Sequence, residues 1–293
     1  MSRTFTPVQL IEQTIVRRYH EQLWSPFCKA IKRYRLIQPG DKIAVCISGG
    51  KDSMLMAKMI QMLHRHSEIP FEAVYLIMDP GYREINRKTV ESNARLLEIP
   101  YTIFESDIFE VANGQEKNPC FLCARMRRGC LYGKARELGC NKIALGHHYD
   151  DVIETTVMAM FYGGQLQAMS PRLKAQHFPG MELIRPMYLI REDDIIAWKN
   201  ANDLNFIQCA CRFTENGQNG GGSKRLETKR LIRSLKQTNP TIESNIFSSI
   251  HNLQLDGMVG WKYKGRDYSF LDTLKNEEEE DGRLGEDKAP AGR

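Results

Sequence analysis

Six residues, Ser48-Gly49-Gly50-Lys51-Asp52-Ser53, have the types and spacing to handle a phosphate chain. The apolar run Lys42-Ile43-Ala44-Val45-Cys46-Ile47 precedes them, and the helix-forming Met54-Leu55-Met56-Ala57 follows. The order is therefore strand, glycine turn, helix. Glycine lets backbone approach a ligand closely, and the first amides of a helix have no intrahelical partner. Those N–H groups and the helix dipole favour an anion. Lys51 adds positive charge, and Ser48 and Ser53 add hydroxyls. This is not the Walker loop, because the glycines are adjacent and Asp52 follows the lysine directly. The bland reading is a glycine turn before an ordinary helix, but such a turn has no need of Lys-Asp-Ser.

A second polar cluster, Gly146-His147-His148-Tyr149-Asp150-Asp151, directly follows the apolar run that starts at Lys142. Carboxylates beside a phosphate site suit magnesium or the orientation of a nucleophile. The plain alternative is that Asp150 or Asp151 caps the next helix. His147 and His148 gain weight only from their position.

Cysteines form the third set. Cys120-Phe121-Leu122-Cys123 opens a predicted helix, and two thiolates at that spacing can share a metal or a cluster. The helix N-terminus lowers a thiol pKa. By itself the pair is ambiguous among redox couple, zinc and iron–sulfur. Closed structural zinc usually takes two such pairs, and the other close pair here, Cys209-Ala210-Cys211, has a spacing of two. One cysteine from it completes a three-thiolate site, which leaves one iron of a cubane open. Cys28, Cys46 and Cys140 stand alone and read as core or surface residues. Cys130 shares a helical face with Cys123.

The elements that must position these groups alternate. Strands are expected near 42–47, 71–78, 101–104 and 142–146. Helices are expected near 51–66, 84–97, 122–138 and 151–161. That order implies an α/β, Rossmann-like parallel sheet with helices on both faces, whose ligands bind at the carboxyl ends of the strands. A short strand pair is expected at 169–174 and 182–186, and a helix at 192–202. An N-terminal helical segment (1–40) carries the stripe Ile11, Ile15, Tyr19, Leu23 and Phe27. The phosphate-loop domain spans 41–200. A C-terminal helical segment (201–272) holds a glycine-rich loop at 215–223 and a basic helix at 224–236, for which a solvated face is the bland reading. The charged residues 273–293 are expected to be disordered.

At 293 residues with net charge +5, the chain is long enough for a substantial core, and a nucleic-acid partner is permitted but not demanded. No apolar run reaches the ~18 residues of a membrane span, and no signal-peptide pattern opens the chain, so a cytoplasmic protein with no membrane partner is expected. In that compartment clustered cysteines point to metal or catalysis rather than disulfides.

Ser48–Ser53 resembles the PP-loop of ATP pyrophosphatases, which cleave ATP between the α and β phosphates and adenylate a substrate oxygen. Together with Cys120-Phe121-Leu122-Cys123-Ala124-Arg125-Met126-Arg127-Arg128-Gly129, Gly146–Asp151, Met160-Phe161-Tyr162-Gly163-Gly164 and Arg185-Pro186, it makes the chain resemble the tRNA 2-thiocytidine synthetases, the TtcA family. The resemblance covers most of the chain. It implies the HUP/PP-loop fold, ATP, Mg2+, and an oxygen-sensitive 4Fe–4S cluster on three cysteines. It also implies thiolation of cytidine 32 of tRNA, with a sulfur donor such as a cysteine desulfurase, and a homodimer. Ser48, Gly49, Gly50, Lys51, Asp52, Ser53, Gly146 and His147 are then expected to bind nucleotide. Lys51, Asp52, Asp150 and Asp151 are expected to be catalytic.

Cys120 and Cys123 are the implied cluster ligands. The family's later pair is Cys-x-x-Cys with the first cysteine as ligand. Here Cys209-Ala210-Cys211 stands instead, so Cys209 is the expected third ligand and Cys211 its competitor. Lysidine synthetases also adenylate cytidine but need no cysteine cluster. A tRNA 2-thiouridine synthetase would share the cluster chemistry, yet the paired-cysteine modules usual at the chain ends of those enzymes are missing. A non-catalytic nucleotide-binding redox protein would not need Lys51-Asp52 and Asp150-Asp151 intact. Arg125, Arg127, Arg128 and the 224–236 helix are the tRNA-contact candidates, on charge alone.

Overall fold

Apolar residues four apart set the first element. The computed structural model describes residues 5–106, 108, 119–207, 220–272 and 274, without the side chains of 119–124 and 220–223. It opens with α1 (Pro7–Gln13) and α2 (Ser25–Arg33), joined by two π-helical stretches, Thr14–Arg18 and His20–Trp24. A stripe with a residue every four positions drifts around a helix of 3.6 residues per turn. The wider π turns under-wind the stretch, and Ile11, Ile15, Leu23 and Phe27 are all buried.

Strands and helices then alternate: β1 (Lys42–Ile47), α3 (Lys51–His66), β2 (Glu72–Asp79), α4 (Glu84–Leu96), β3 (Tyr101–Glu105), α5 (Pro119–Glu137), β4 (Lys142–Ala144) and α6 (Tyr149–Gly163). β5 (Arg172–Lys174), β6 (Glu182–Ile184), α7 (Glu192–Ala201) and α8 (Gly220–Thr238) follow. The sheet order is β3-β2-β1-β4-β6-β5. All pairs are parallel except the edge strand β5, which runs antiparallel to β6. The expected strand pair therefore exists, and its second member extends the parallel sheet.

β1 is apolar from Ile43 to Ile47 because both of its faces are covered. Ile43, Val45 and Ile47 join one core with α3, α4 and the N-terminal helices. Ala44 and Cys46 join a second core with Tyr132 and Ala135 of α5. Strand periodicity of two sends alternate side chains to opposite layers. Successive connections from β1 and β4 leave in opposite directions along the sheet, so a crevice opens at the carboxyl ends of these two strands.

The chain divides into two compact units, Met1–Glu243 and Ser244–Arg293. That division falls beyond the boundary expected near residue 200. α9 covers Ile242–Ser249, and the second unit contains a hairpin of β7 (Gly260–Tyr263) and β8 (Arg266–Ser269). The hairpin adds two strands that the expectation of a helical segment over 201–272 did not include. Its turn residues Lys264 and Gly265 both have positive φ, 50° and 80°, which is the type I′ turn that matches strand twist. Trp261 and Tyr268 stack across it at 5.7 Å. The glycine-rich loop is partly helix, since α8 begins at Gly220. Its residues 215–219 and the tail expected to be disordered, apart from Leu274, lie outside the described residues. No described helix is long and apolar enough to cross a membrane.

Candidate functional site

The phosphate loop leaves the carboxyl end of β1 and enters α3 with Gly50 as the N-cap. Gly49 has φ 86°, and a Cβ there would overlap Val90 and lie 2.7 Å from Ile207. A Cβ on Gly146 would sit 3.0 Å from the Ser53 amide nitrogen and 3.1 Å from Asp52 backbone. The segment after β4 thus lies directly on the first turn of α3, which accounts for glycine at both places. Ser53 is buried and holds the loop together. Its hydroxyl donates to Gly50 O at 3.0 Å and accepts from the Ser48 amide and hydroxyl, each at 3.1 Å. Ser48 is exposed, so the two serines have different tasks.

A cavity of about 450 Å³ opens against this loop. Ser48, Asp52 and Ser53 line one side, Gly146, His147 and Asp151 another, and Arg127 and Arg128 of α5 with Arg185 complete it. Burial pushes the His147 imidazole down to about 4, against the pull of Asp151, so it is neutral near pH 7. Its Nδ1 is buried without a hydrogen-bond partner. Arg185 is 8% exposed; its Nη1 donates to Ser170 O and its Nε has no partner. Burial pushes this guanidinium down to about 10, so it stays charged at neutral pH.

Lys51 does not line that cavity. Its ammonium lies 3.1 Å from Asp52 Oδ1 and 3.2 Å from Glu192 Oε1, and it borders a neighbouring pocket with His148, Glu154, Arg225 and Lys229. Burial alone would lower the Lys51 ammonium, but Asp52 and Glu192 outweigh it and raise it. Burial would raise Glu192, but Lys229 and Lys51 bring it down to about 2. Asp52 Oδ1, though beside Lys51, is buried without a hydrogen bond.

The two expected aspartates part company. Asp150 accepts from the Glu192 amide at 2.7 Å and pairs with Arg191 at 3.1 Å, so it caps α7 from outside. Asp151 lines the cavity and pairs with Arg225 at 3.3 Å. Burial would raise its carboxyl, but His148, Arg225 and His147 hold it below the ordinary range. Neither aspartate is the N-cap of α6. His148 is, and it shares a capping box with Asp151.

Cys120 and Cys123 fall in the first turns of α5, and their side chains lie outside the described residues. Cys209 and Cys211 lie outside them altogether. Among the described residues no group of three metal-ligating side chains gathers. Sequence reasoning missed Glu192, Glu154 and the buried face of Arg185. Arg225 and Lys229 fell in a helix read as solvated, yet both pair with carboxylates of α6 or α7. The missed signal was their i, i+4 spacing, which sets two cations on one face.

A family model described as a PP-loop domain matches residues 16–211. The tRNA-cytidine(32) 2-sulfurtransferase of Syntrophotalea carbinolica is 38% identical over 234 residues, covering 77% of this chain and 86% of that protein. That of Pelobacter propionicus is 33% identical over 266 residues, covering 89% and 95%. Among solved structures, the U34-tRNA thiolase NcsA from Methanococcus maripaludis with its 4Fe–4S cluster superposes with a TM-score of 0.62 at 23% identity. That likeness covers 78% of this chain and 77% of the other, and it is a likeness of fold.

Proposed function

We infer the function from one premise: the chain belongs to the PP-loop family and, within it, to the tRNA-cytidine(32) 2-sulfurtransferases. Its reaction is the ATP-dependent replacement of the C2 oxygen of cytidine 32 in tRNA by sulfur. The observation that carries this reading is a single cavity. It joins the phosphate loop, Asp151 and the arginines of the cysteine helix at the switch point of the sheet.

The base's C2 oxygen is a poor leaving group. Its attack on the α-phosphorus of ATP expels pyrophosphate and leaves an adenylate. Displacement at C2 by sulfur then releases AMP. The amides of the Gly49–Ser53 turn and the α3 dipole receive the phosphate chain, with the Ser48 hydroxyl at its edge. Asp52, whose Oδ1 lacks a hydrogen bond, and Asp151 are oxygen donors of the kind Mg2+ takes. Asp150 acts through α7, whose first amide and Arg191 it holds. Neutral His147 closes the cavity wall.

Cys120, Cys123 and Cys209 hold a 4Fe–4S cluster in this reading, and such a cluster supplies an iron open to a sulfur ligand. Two described features fit that set. Residue 123 stands one helical turn before Arg127, which lines the cavity. Ile207, two positions before Cys209, packs on Gly49. A cysteine desulfurase as sulfur donor, a cytoplasmic location and a homodimer complete the reading.

The test combines protein purified anaerobically, ATP, sulfide and unmodified tRNA carrying cytidine 32. Expected are tRNA-dependent AMP and pyrophosphate, and 2-thiocytidine on nucleoside digestion. Both iron and 2-thiocytidine should be lost in Cys120→Ala, and 2-thiocytidine in Cys209→Ala but not in Cys211→Ala. Absence of tRNA-dependent AMP in the iron-loaded wild type, or full thiolation by Cys120→Ala, would overturn the reading.

A further inference from the structure

The cation expected to face the phosphates, Lys51, is turned away from the cavity that the phosphate loop opens into. It is held by Asp52 and Glu192 in the neighbouring pocket, which shares Asp52 and Asp151 with the cavity. Three arginines line the cavity instead: Arg127, Arg128 and Arg185. They differ in burial. Arg128 is exposed and Arg127 half-buried, while Arg185 has 8% of its surface exposed. Arg185 follows β6 directly, and its backbone amide donates to Pro171 O at 2.9 Å. The Nη1 donation to Ser170 O fixes the guanidinium plane from the same loop. No carboxylate pairs with it among the described residues, and its Nε donor is unmet.

A buried cation with neither counter-ion nor complete hydrogen bonding is costly, and such groups gather where a ligand supplies what is missing. The missing partner is an anion with acceptor oxygens in a fixed plane, which is what a phosphoryl group offers a guanidinium.

Resting on the sulfurtransferase reading, we propose that Arg185 is a catalytic residue that donates to the non-bridging oxygens of the α-phosphoryl group during adenylation. In that step the C2 oxygen of the base gives an electron pair to the α-phosphorus. The bond from the α-phosphorus to the bridging oxygen breaks, and pyrophosphate leaves with that pair. No proton moves, and the positive charge left on the base is shared by its ring nitrogens and amino group. Negative charge builds on the phosphoryl oxygens as the fifth bond forms. A preorganised cation in a water-poor wall stabilises that charge more than it stabilises bound ATP. Lys51 then serves the neighbouring pocket, where it orders Asp52 and Glu192.

The experiment compares wild type, Arg185→Lys, Arg185→Gln and Arg185→Gly as full chains with tRNA and ATP. It follows pyrophosphate and AMP release, ATP affinity and melting temperature. Arg185→Gln is expected to lower kcat for pyrophosphate release by 100-fold or more with ATP affinity changed less than about threefold. Methylguanidinium should restore part of the rate to Arg185→Gly. Arg185→Lys should keep part of the rate and move the basic limb of its pH–rate profile to lower pH than in wild type, because the same burial lowers an ammonium from a lower starting value than a guanidinium. The groups facing that position are Tyr132, Tyr188, Asp151 and Arg128, all present in every variant.

A kcat in Arg185→Gln within threefold of wild type would overturn the proposal. So would rate losses in all three variants that follow the fall in melting temperature without methylguanidinium rescue, which is what a peg for the Ser170 loop would give. Wild type that releases no pyrophosphate with tRNA defeats the sulfurtransferase reading itself. An active wild type with an indifferent Arg185 defeats only this assignment.

Discussion

At the amino ends of β1 and β4, Lys142 is buried with its ammonium 2.5 Å from Asp41 and 3.0 Å from Leu36 O. Asp41 also accepts from the Gln38 amide at 2.6 Å and from Asn141 at 2.8 Å, so each buried oxygen there has a donor. At the carboxyl ends of these strands and of β6, Asp52 Oδ1, His147 Nδ1 and Arg185 Nε are all buried without hydrogen-bond partners. One sheet thus carries two polar clusters with opposite accounting. The amino end is satisfied by the chain itself, as a structural cluster must be. At the carboxyl end hydrogen-bonding capacity is left for something else, as in a binding site.

The sharpest way to break this comparison is to unsatisfy the amino end. Lys142→Met leaves Asp41 buried without its cation, a change that costs about 3–5 kcal/mol in comparable buried pairs. Urea denaturation should show that loss, while AMP formation per folded molecule stays within twofold of wild type. A protein that kept its stability but lost its rate would mean the amino end also serves the reaction.

The next effect tests the carboxyl end by pH. A histidine at about 4 in the folded chain and ~6.5 in the unfolded chain binds its proton more tightly when unfolded. Stability due to His147 is therefore fully present above pH 6.5 and is lost as pH falls through the window from 6.5 to 4. Wild type should lose about 2 kcal/mol more than His147→Gln between pH 7 and pH 5, measured by urea denaturation at each pH. Equal losses would mean that the imidazole is not held neutral by its surroundings.

How much of this was legible beforehand follows from how local each signal is. Ser48–Ser53 could be placed at a strand end because strand, turn and helix are contiguous in the chain. The cluster at 146–151 followed by the same logic, and so did the sheet class. Where Lys51 points could not be read, since its partner Glu192 is 141 residues away in sequence. Asp150 looked like a site carboxylate, but its partners Arg191 and Glu192 come to it only where the N-terminus of α7 meets the first turn of α6. Arg185 was visible as part of a motif, yet its burial depends on β6 joining the sheet, and three residues make a weak strand signal. The hairpin at 260–269 was missed because its turn pair, Lys264-Gly265, advertises positive φ at only one of two positions.

The smallest effect separates the two serines of the loop. Ser53 donates to Gly50 O and accepts from Ser48 twice, so its hydroxyl has nothing left for a phosphate. Ser48 gives its own proton to Ser53, but at an exposed position its hydroxyl is free to rotate and donate to a phosphate oxygen instead. Ser53→Ala should therefore cost about 1 kcal/mol of stability for its buried hydrogen bonds, with ATP affinity changed in proportion to loop order. Ser48→Ala should leave the urea midpoint nearly unchanged and weaken ATP a few-fold, measured by titration calorimetry with ATP and Mg2+. If Ser53→Ala alone weakens ATP while stability holds, the loop hydroxyl that meets phosphate is the buried one. Rearrangement of the loop on binding would then have to release it from Gly50.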